Sequence, residues 1–150
     1  MANIHGTGLV LDGYGLLVRG HSGAGKSLLA LQLLDIWRDR GRDAFLIADD
    51  RIELTVENGE LLMSAPDTIA GLIELRGRGI VSRPFRESGR LHLVVDMVGE
   101  LIRFLEEEDF VTDIEGIEVA RCQVPERAVV DSAHQILLVG EAIRELAKAP

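Results

Sequence analysis

The chain contains, between two apolar segments, the stretch Gly20-His21-Ser22-Gly23-Ala24-Gly25-Lys26-Ser27. It matches the pattern G-x-x-x-x-G-K-[ST], in which glycines let successive backbone N–H groups point inward at phosphate oxygens. In that pattern Lys26 reaches the β- and γ-phosphates of a nucleotide, and the Ser27 hydroxyl ligates Mg²⁺. The alternative is a chance glycine-rich turn. The sequence predicts a phosphate loop (a Walker A loop) at Gly20–Ser27 and leaves open what receives the phosphate.

The segments on both sides of the phosphate loop predict a strand before it and a helix after it. Tyr14 to Arg19 is an apolar run typical of a buried strand. Ser27 to Arg40 has leucines at helical spacing, and Gly41 is a suitable stop after it. The positive N-terminal end of such a helix would face the phosphates. The phosphate loop therefore has the strand–loop–helix context that its chemistry requires.

Composition limits the class of protein. The length of 150 residues favours a single domain over residues 1–150. The net charge of −9 argues against a nucleic-acid partner, because phosphate backbones are bound by an excess of Lys and Arg. An N-terminal leader and a long apolar stretch are both missing from the sequence, so we expect neither secretion nor a membrane span. The single cysteine, Cys122, fits a reducing cytoplasm and is expected to be a buried apolar residue.

The rest of the chain predicts an α/β fold. Two hairpins are expected, one turning at Asp12-Gly13 between Thr7–Leu11 and Tyr14–Arg19, the other at Asn58-Gly59 between residues 52–56 and 61–63. Further elements are strands at 44–48, 91–95 and 117–124, a short helix opening 67–75, and a C-terminal helix over 133–148. The acidic run Glu106–Asp109 is expected to be a solvated face.

Two adjacent carboxylates, Asp49 and Asp50, follow the predicted strand at 44–48. Adjacent residues leaving a strand point to opposite sides, so the two side chains are expected to do different jobs. One would approach Mg²⁺, directly or through water, while the other accepts a proton from a substrate hydroxyl. A polar turn that opens the next hairpin is the alternative.

Two other candidates and one basic segment are less decisive. Glu74 is a possible metal ligand, but an isolated Glu is more often solvated. His5 is likewise more often structural than catalytic. The five arginines of the segment 76–90 form a basic island in an acidic protein, and they predict either a docking surface for an acidic partner or a solvated loop.

Taken in order, the motifs at residues 4–82 resemble the catalytic domain of the HPr kinase/phosphorylase family. The matching segments are Ile4-His5-Gly6, the first hairpin, Gly20–Ser27, Ala48-Asp49-Asp50 and Ile73-Glu74-Leu75-Arg76-Gly77-Arg78-Gly79-Ile80. The resemblance implies a P-loop kinase domain with a mixed, largely antiparallel sheet, a helix after the Walker A loop and a C-terminal helix. It also implies ATP and Mg²⁺ as cofactors, an HPr-type phosphocarrier as partner and a homo-oligomer, a hexamer in that family.

Roles for individual residues follow from the same resemblance. Lys26 would bind the transferred phosphoryl group, and Ser27 and Glu74 would hold the metal. Asp50 would be the base in phosphorylation and the acid in the reverse reaction. His5 would lie near the phosphate, and Arg103 matches a later active-site arginine.

The sequence also departs from the family pattern. It begins almost at the His-Gly, as in short alphaproteobacterial forms that lack an N-terminal domain. The family's "P-V-[KR]-x-G-R-N" loop is reduced to Val124-Pro125-Glu126-Arg127, so kinase activity is better supported than phosphorylase activity. Two other functions stay open: a non-catalytic nucleotide-binding regulator and a small-molecule P-loop kinase.

Overall fold

The computed structural model describes residues 2–66 and 70–148 of the chain. In chain order its elements are β1 (Ala2–His5), β2 (Thr7–Leu11), β3 (Tyr14–Arg19), α1 (Lys26–Asp39), β4 (Ala44–Ala48), β5 (Arg51–Glu57), β6 (Glu60–Ser64), β7 (Leu72–Leu75), β8 (Gly79–Ser82), β9 (Ser88–Val98), a 3₁₀ turn (Glu107–Phe110), β10 (Val111–Ile114), β11 (Ile117–Pro125) and α2 (Ser132–Lys148).

One large mixed sheet forms the centre of the fold. Its strands lie in the order β1-β5-β6-β9-β3-β2-β4, with β11 also paired to β9 and β10 paired to β11. The pairs β3–β9 and β9–β11 are parallel, and the other pairs in this sheet are antiparallel. The eleven-residue strand β9 pairs first with β6 and then with β3 and β11. The predicted α/β class with a mixed, largely antiparallel sheet is confirmed.

The central strands are buried on both faces, which explains their continuous apolar sequences. On one face the helices α1 and α2 cover residues such as Leu9, Leu16 and Val18. On the other face the alternate residues, among them Leu17, pack with side chains of β5, β6 and β10. Burying each such aliphatic side chain contributes roughly 1.5–3 kcal/mol, so this aliphatic core compensates for the scarcity of aromatic residues.

Most predicted elements are confirmed, within a few residues at their ends. Both hairpin turns have the left-handed backbone that Asp-Gly and Asn-Gly supply, with φ of 52° and 82° at Asp12 and Gly13. The charge run is exposed, as predicted, and forms the 3₁₀ turn, where Glu106 and Asp109 cap each other's backbone N–H groups.

Some strands of the structure were not predicted, and one predicted element falls on residues that the structure does not describe. Strands β1, β8 and β10 were not predicted, because four residues carry too little pattern. The short helix predicted to open the segment 67–75 falls on residues 67–69, outside the described residues, and the segment ends in the strand Leu72–Leu75. Leu75 and Gly79 close a hairpin there that pairs β7 with β8, so Gly79 opens a strand and does not lie in a loop. Within the described part of the chain, neither helix is long and apolar enough to cross a membrane.

Candidate active site

The phosphate loop joins β3 to α1, as its sequence predicts. Gly23 and Gly25 have φ of 86° and 98°, a backbone conformation that disfavours any residue with a Cβ. Helix α1 begins directly after, at Lys26, and Gly25 provides no side-chain cap for its first N–H groups. Those N–H groups are therefore free to bind an anion that enters the loop.

Lys26 is buried, and its ammonium group bridges the loop from within. Nζ donates hydrogen bonds of 3.0 Å to the carbonyl oxygens of Gly20 and His21. A charged group held this way lies at the centre of the loop and can exchange two neutral acceptors for phosphate oxygens, which are stronger partners. The position of Lys26 therefore suits a phosphate-binding role.

Asp49 and Asp50 lie just after β4, and their side chains contact different neighbours. Oδ1 of Asp49 accepts hydrogen bonds from Ser27 Oγ at 2.7 Å and from Thr7 Oγ1 at 2.8 Å. Oδ1 of Asp50 instead lies 2.8 Å from Nε2 of His5, and the Asp50 side chain is 76% exposed. Asp49 is thus tied to the phosphate loop, while the Asp50 side chain contacts His5 and is largely open to solvent.

The backbone at Asp50 takes an unusual conformation. Its φ is 74°, a region that costs a non-glycine residue of the order of 1 kcal/mol. Its carbonyl oxygen accepts a hydrogen bond of 3.0 Å from the N–H of Gly6, which holds the turn in place. A Cβ on Gly6 would lie 2.7 Å from the carbonyl oxygen of Val18, so only glycine allows this approach. The His5-Gly6 pair thus supports Asp50 through both side chain and backbone.

An open cleft of about 530 Å³ brings most of the predicted site residues together. It is lined by the phosphate loop, by His5, by both aspartates and by Glu74 on β7. Arg103 is not among the residues that line this cleft. Its guanidinium lies 5.6 Å from the ring centroid of Phe104, in an exposed segment after β9. Of the predicted catalytic and metal-binding residues, the described structure therefore places all but Arg103 along this cleft.

The oxygen donors of the cleft fit a magnesium ion shared with a nucleotide. Ser27, Asp49 and Glu74 offer a hydroxyl and two carboxylates, which are the hard oxygen ligands that Mg²⁺ prefers. Among the described residues, no cluster of three or more acidic, histidine or cysteine side chains forms a cage for a metal. This set suits Mg²⁺, which usually binds through one or two carboxylates, several waters and substrate phosphates.

Two further polar residues of the cleft were not predicted to be part of the site. Thr7 contributes a buried hydroxyl, and Arg76 lines the cleft beside Glu74. Nothing in the local sequence singles out Thr7 within an apolar strand. Arg76 was predicted only as one of the basic island's arginines.

The basic island is largely engaged within the fold. Arg83 pairs with Asp35 of α1 at 2.7 Å, and Arg90 pairs with Glu60 at 3.0 Å. Arg86 stacks over the Phe45 ring, 4.2 Å from its centroid. Three of the five arginines in the segment 76–90 therefore have partners within the fold. Arg76 is the member that faces the cleft.

A cluster of ion pairs lies at the end of the strand that precedes the phosphate loop. Asp96 on β9 binds Arg19, the last residue of β3, through bonds of 2.8 and 2.9 Å, and Arg121 of β11 at 2.6 Å. Burial by itself would raise the pKa of Asp96, but the two guanidinium groups outweigh it and hold that pKa below its usual value. The ionised cluster joins three parallel strands immediately before Gly20.

Glu126 belongs to the segment in which the family pattern is reduced. Its Oε1 is shielded from solvent and accepts no conventional hydrogen bond within the described residues, and it lies in close contact with Nε2 of His21. The segment after β11 therefore touches the phosphate loop.

Comparisons with known proteins show which proteins this chain is similar to. The family model described as HPr Serine kinase C-terminal domain matches residues 1–146. An HPr kinase/phosphorylase from Bacillus cereus (strain B4264) and one from Bacillus anthracis (strain A0248) are each 40% identical over 80 residues, which is 53% of this chain. The matched stretch spans only 24% of each of those curated relatives. A solved structure, the Hpr(Ser) kinase/phosphatase from Coxiella burnetii, superposes with a TM-score of 0.76 at 28% identity, covering 98% of this chain and 97% of that one.

Proposed function

This chain belongs to the family of the HPr serine kinase C-terminal domain, and on that premise we propose that it transfers the γ-phosphoryl group of ATP to a serine of an HPr-type phosphocarrier protein. The observation that carries this proposal is one cleft in which a phosphate loop and the exposed carboxylate of Asp50 meet. Phosphoryl transfer needs little more from a protein than positioning, charge stabilisation and a group that takes the acceptor proton.

The donor side of the proposed reaction is the phosphate loop. Backbone N–H groups of the loop and the first turn of α1 would hold the β- and γ-phosphates, and Lys26 would stabilise the charge that develops on the transferred group. Mg²⁺, held by Ser27, Asp49 and Glu74, would neutralise phosphate charge when bound. Each of these groups lines the described cleft.

The acceptor side is Asp50 with His5. As the serine oxygen bonds to the γ-phosphorus, its proton would pass to Asp50, and the bond to the bridging β–γ oxygen would break to release ADP. His5, 2.8 Å from Asp50, would orient that carboxylate. A second cleft of about 360 Å³ shares Asp49, Asp50 and Glu74 with the first and is lined on its other side by Leu72 and Ile80. We take this second cleft as the side from which the serine enters.

The proposal extends to the reverse direction. There, inorganic phosphate would accept the phosphoryl group of phosphoserine while Asp50 returns a proton to the serine oxygen. Arg127 is the remaining basic residue of the reduced segment and supports this direction only weakly. A hexamer and a cytoplasmic location stay predictions.

The test is transfer from labelled ATP to a purified HPr-type carrier in the presence of Mg²⁺. Lys26→Ala should abolish transfer. Asp50→Asn should lower the rate about 10²–10⁴-fold, since general-base catalysis contributes that much, without weakening ATP binding. Asp39→Asn makes the same chemical change at an exposed position of α1 and should leave the rate unchanged.

The same experiment separates the alternatives. A carrier whose acceptor serine is replaced by alanine should stay unlabelled. Tight ATP binding without transfer to any HPr-type carrier would contradict the proposal and favour a nucleotide-binding regulator. Label that appears in a small molecule and not in the carrier would favour a small-molecule kinase.

A further inference from the structure

We propose that Thr7 is a positioning residue for Asp49 and thereby sets the affinity of the cleft for Mg²⁺. Thr7 opens β2 and is fully buried, with 0% of its surface exposed. Its hydroxyl donates a 2.8 Å hydrogen bond to Oδ1 of Asp49, which lies 42 positions further along the chain. The inference rests on the proposed function in one respect, namely that Asp49 faces a nucleotide-bound magnesium ion.

The bond from Thr7 is one of three that hold the aspartate pair against the start of the chain. His5 contacts the Asp50 side chain, and the Gly6 N–H binds the Asp50 carbonyl oxygen. Of these three residues, Thr7 is the one that donates a hydrogen bond to the Asp49 side chain. The three consecutive residues therefore divide their contacts, so that a change at Thr7 acts on Asp49 without removing a bond to Asp50.

The hydrogen-bond pattern fixes which oxygen of Asp49 remains for other ligands. Ser27 and Thr7 both donate to Oδ1, so this oxygen already accepts two hydrogen bonds. Within the described part of the chain, Oδ2 receives no hydrogen bond, and it is the oxygen left for a cation or its waters. A hydroxyl that ligates a metal keeps its proton to donate, so the Ser27 bond is compatible with metal binding. Thr7, unlike Ser27, would serve only as a hydrogen-bond donor to Asp49 and not as a metal ligand.

Removing the Thr7 hydroxyl would leave Asp49 held by Ser27 alone. The carboxylate would then turn more freely about its side-chain bonds, and ordering it would oppose cation binding. Groups that orient a metal-binding carboxylate in this way typically change metal affinity 10–100-fold when they are lost.

The experiment measures how Mg²⁺ strengthens the binding of a fluorescent ADP analogue, a readout that needs no catalysis. Thr7→Val keeps the shape of the side chain and removes the donor, and Thr7→Ser keeps the donor. Thr7→Val should need about tenfold more Mg²⁺ for half-maximal effect, while its affinity for the analogue in EDTA stays within about twofold of the wild type. Thr7→Ser should behave as the wild type. Thr55→Val on β5 makes the same chemical change away from the cleft and should have no effect.

Several results would overturn the inference. One is an unchanged Mg²⁺ requirement in Thr7→Val; another is an equal loss in Thr7→Val and Thr7→Ser, which would indicate packing as the role of this residue. A loss of affinity in EDTA as large as the loss with Mg²⁺ would also contradict it. If Thr7→Val does not fold, Thr7→Ala is measured in the same way. A wild-type protein that binds no nucleotide refutes the proposed function itself, whereas Mg²⁺-dependent binding with no effect of Thr7→Val refutes the role of Thr7 alone.

Discussion

Replacing Asp96 by alanine should lower the free energy of unfolding more than the loss of an exposed ion pair does. Asp96 is 14% exposed and accepts three hydrogen bonds from two guanidinium groups, those of Arg19 and Arg121. Alanine at this position would leave two neighbouring positive charges without a counter-charge on the central strand β9. The strand end that carries the phosphate loop would lose its ionic support at the same time.

The magnitude follows from the geometry and the exposure of the two arginines. A hydrogen bond to a charged group contributes about 1.5–3 kcal/mol, so three such bonds set an upper limit well above 4 kcal/mol. Arg19 and Arg121 are 30% and 23% exposed, and water can solvate them again once Asp96 is gone. We therefore expect a loss of about 3 kcal/mol, at the low end for a broken buried pair. For a chain of this length the loss lowers Tm by about 6–12 °C.

The assay is denaturant unfolding followed by the fluorescence of Trp37, the single tryptophan, which is buried on α1. Glu141→Ala, which breaks an exposed pair with Arg144, is the control and should change the free energy of unfolding by less than about 0.5 kcal/mol. Because the pKa of Asp96 is lowered in the fold, its contribution is complete above about pH 4 and is lost as the pH falls through the native pKa. The difference between wild type and Asp96→Ala should shrink in acid. A loss below about 1 kcal/mol at pH 7, or a difference that persists unchanged in acid, would refute this account of the cluster.

Three other predictions concern the stability and reactivity of the fold. Gly15→Ala should prevent folding, because a Cβ there would lie 1.8 Å from the carbonyl oxygen of Arg90; circular dichroism that shows a native-like fold would contradict the close approach of β3 and β9. His92 has a pKa lowered by burial and then by the charge of Arg90, and its Nδ1 accepts the Gly15 N–H at 3.0 Å. Its contribution to stability is therefore present above the ordinary histidine pKa of about 6.5 and is lost as the pH falls below it, so unfolding measured at pH 7.5 and pH 5.5 should differ less in His92→Phe than in the wild type. Burial raises the pKa of the Cys122 thiol to about 12, so a thiol reagent at pH 8 should label it only after denaturant is added, and rapid labelling of the native protein would show that this strand opens.

Local sequence was sufficient to predict those elements whose conformation depends mainly on residues close in the chain. The two hairpins follow from Asp12-Gly13 and Asn58-Gly59, whose backbone conformations are set within the turn itself. Helices α1 and α2 follow from apolar spacing over fourteen or more residues. Strands β1, β8 and β10, of four residues each, could not be predicted, because so short a run carries too little pattern and each is stabilised by pairing with a partner strand.

The sequence by itself determined the phosphate loop, because its chemistry resides in eight consecutive residues whose glycines and lysine need only each other and a following helix. It also predicted that Asp49 and Asp50 would act separately, since that follows from the alternation of a strand. Only the tertiary structure decided which partners each carboxylate has. The pairing of β1 with β5 and of β2 with β4 brings His5 to Asp50 and Thr7 to Asp49, and it depends on sheet register between residues at least 33 positions apart, as Leu11 and Ala44 are. Long-range packing also decides that Arg76, in the turn between β7 and β8, lines the cleft while Arg103, in the exposed segment after β9, does not, because the packing of the flanking strands, and not the local pattern, positions these segments.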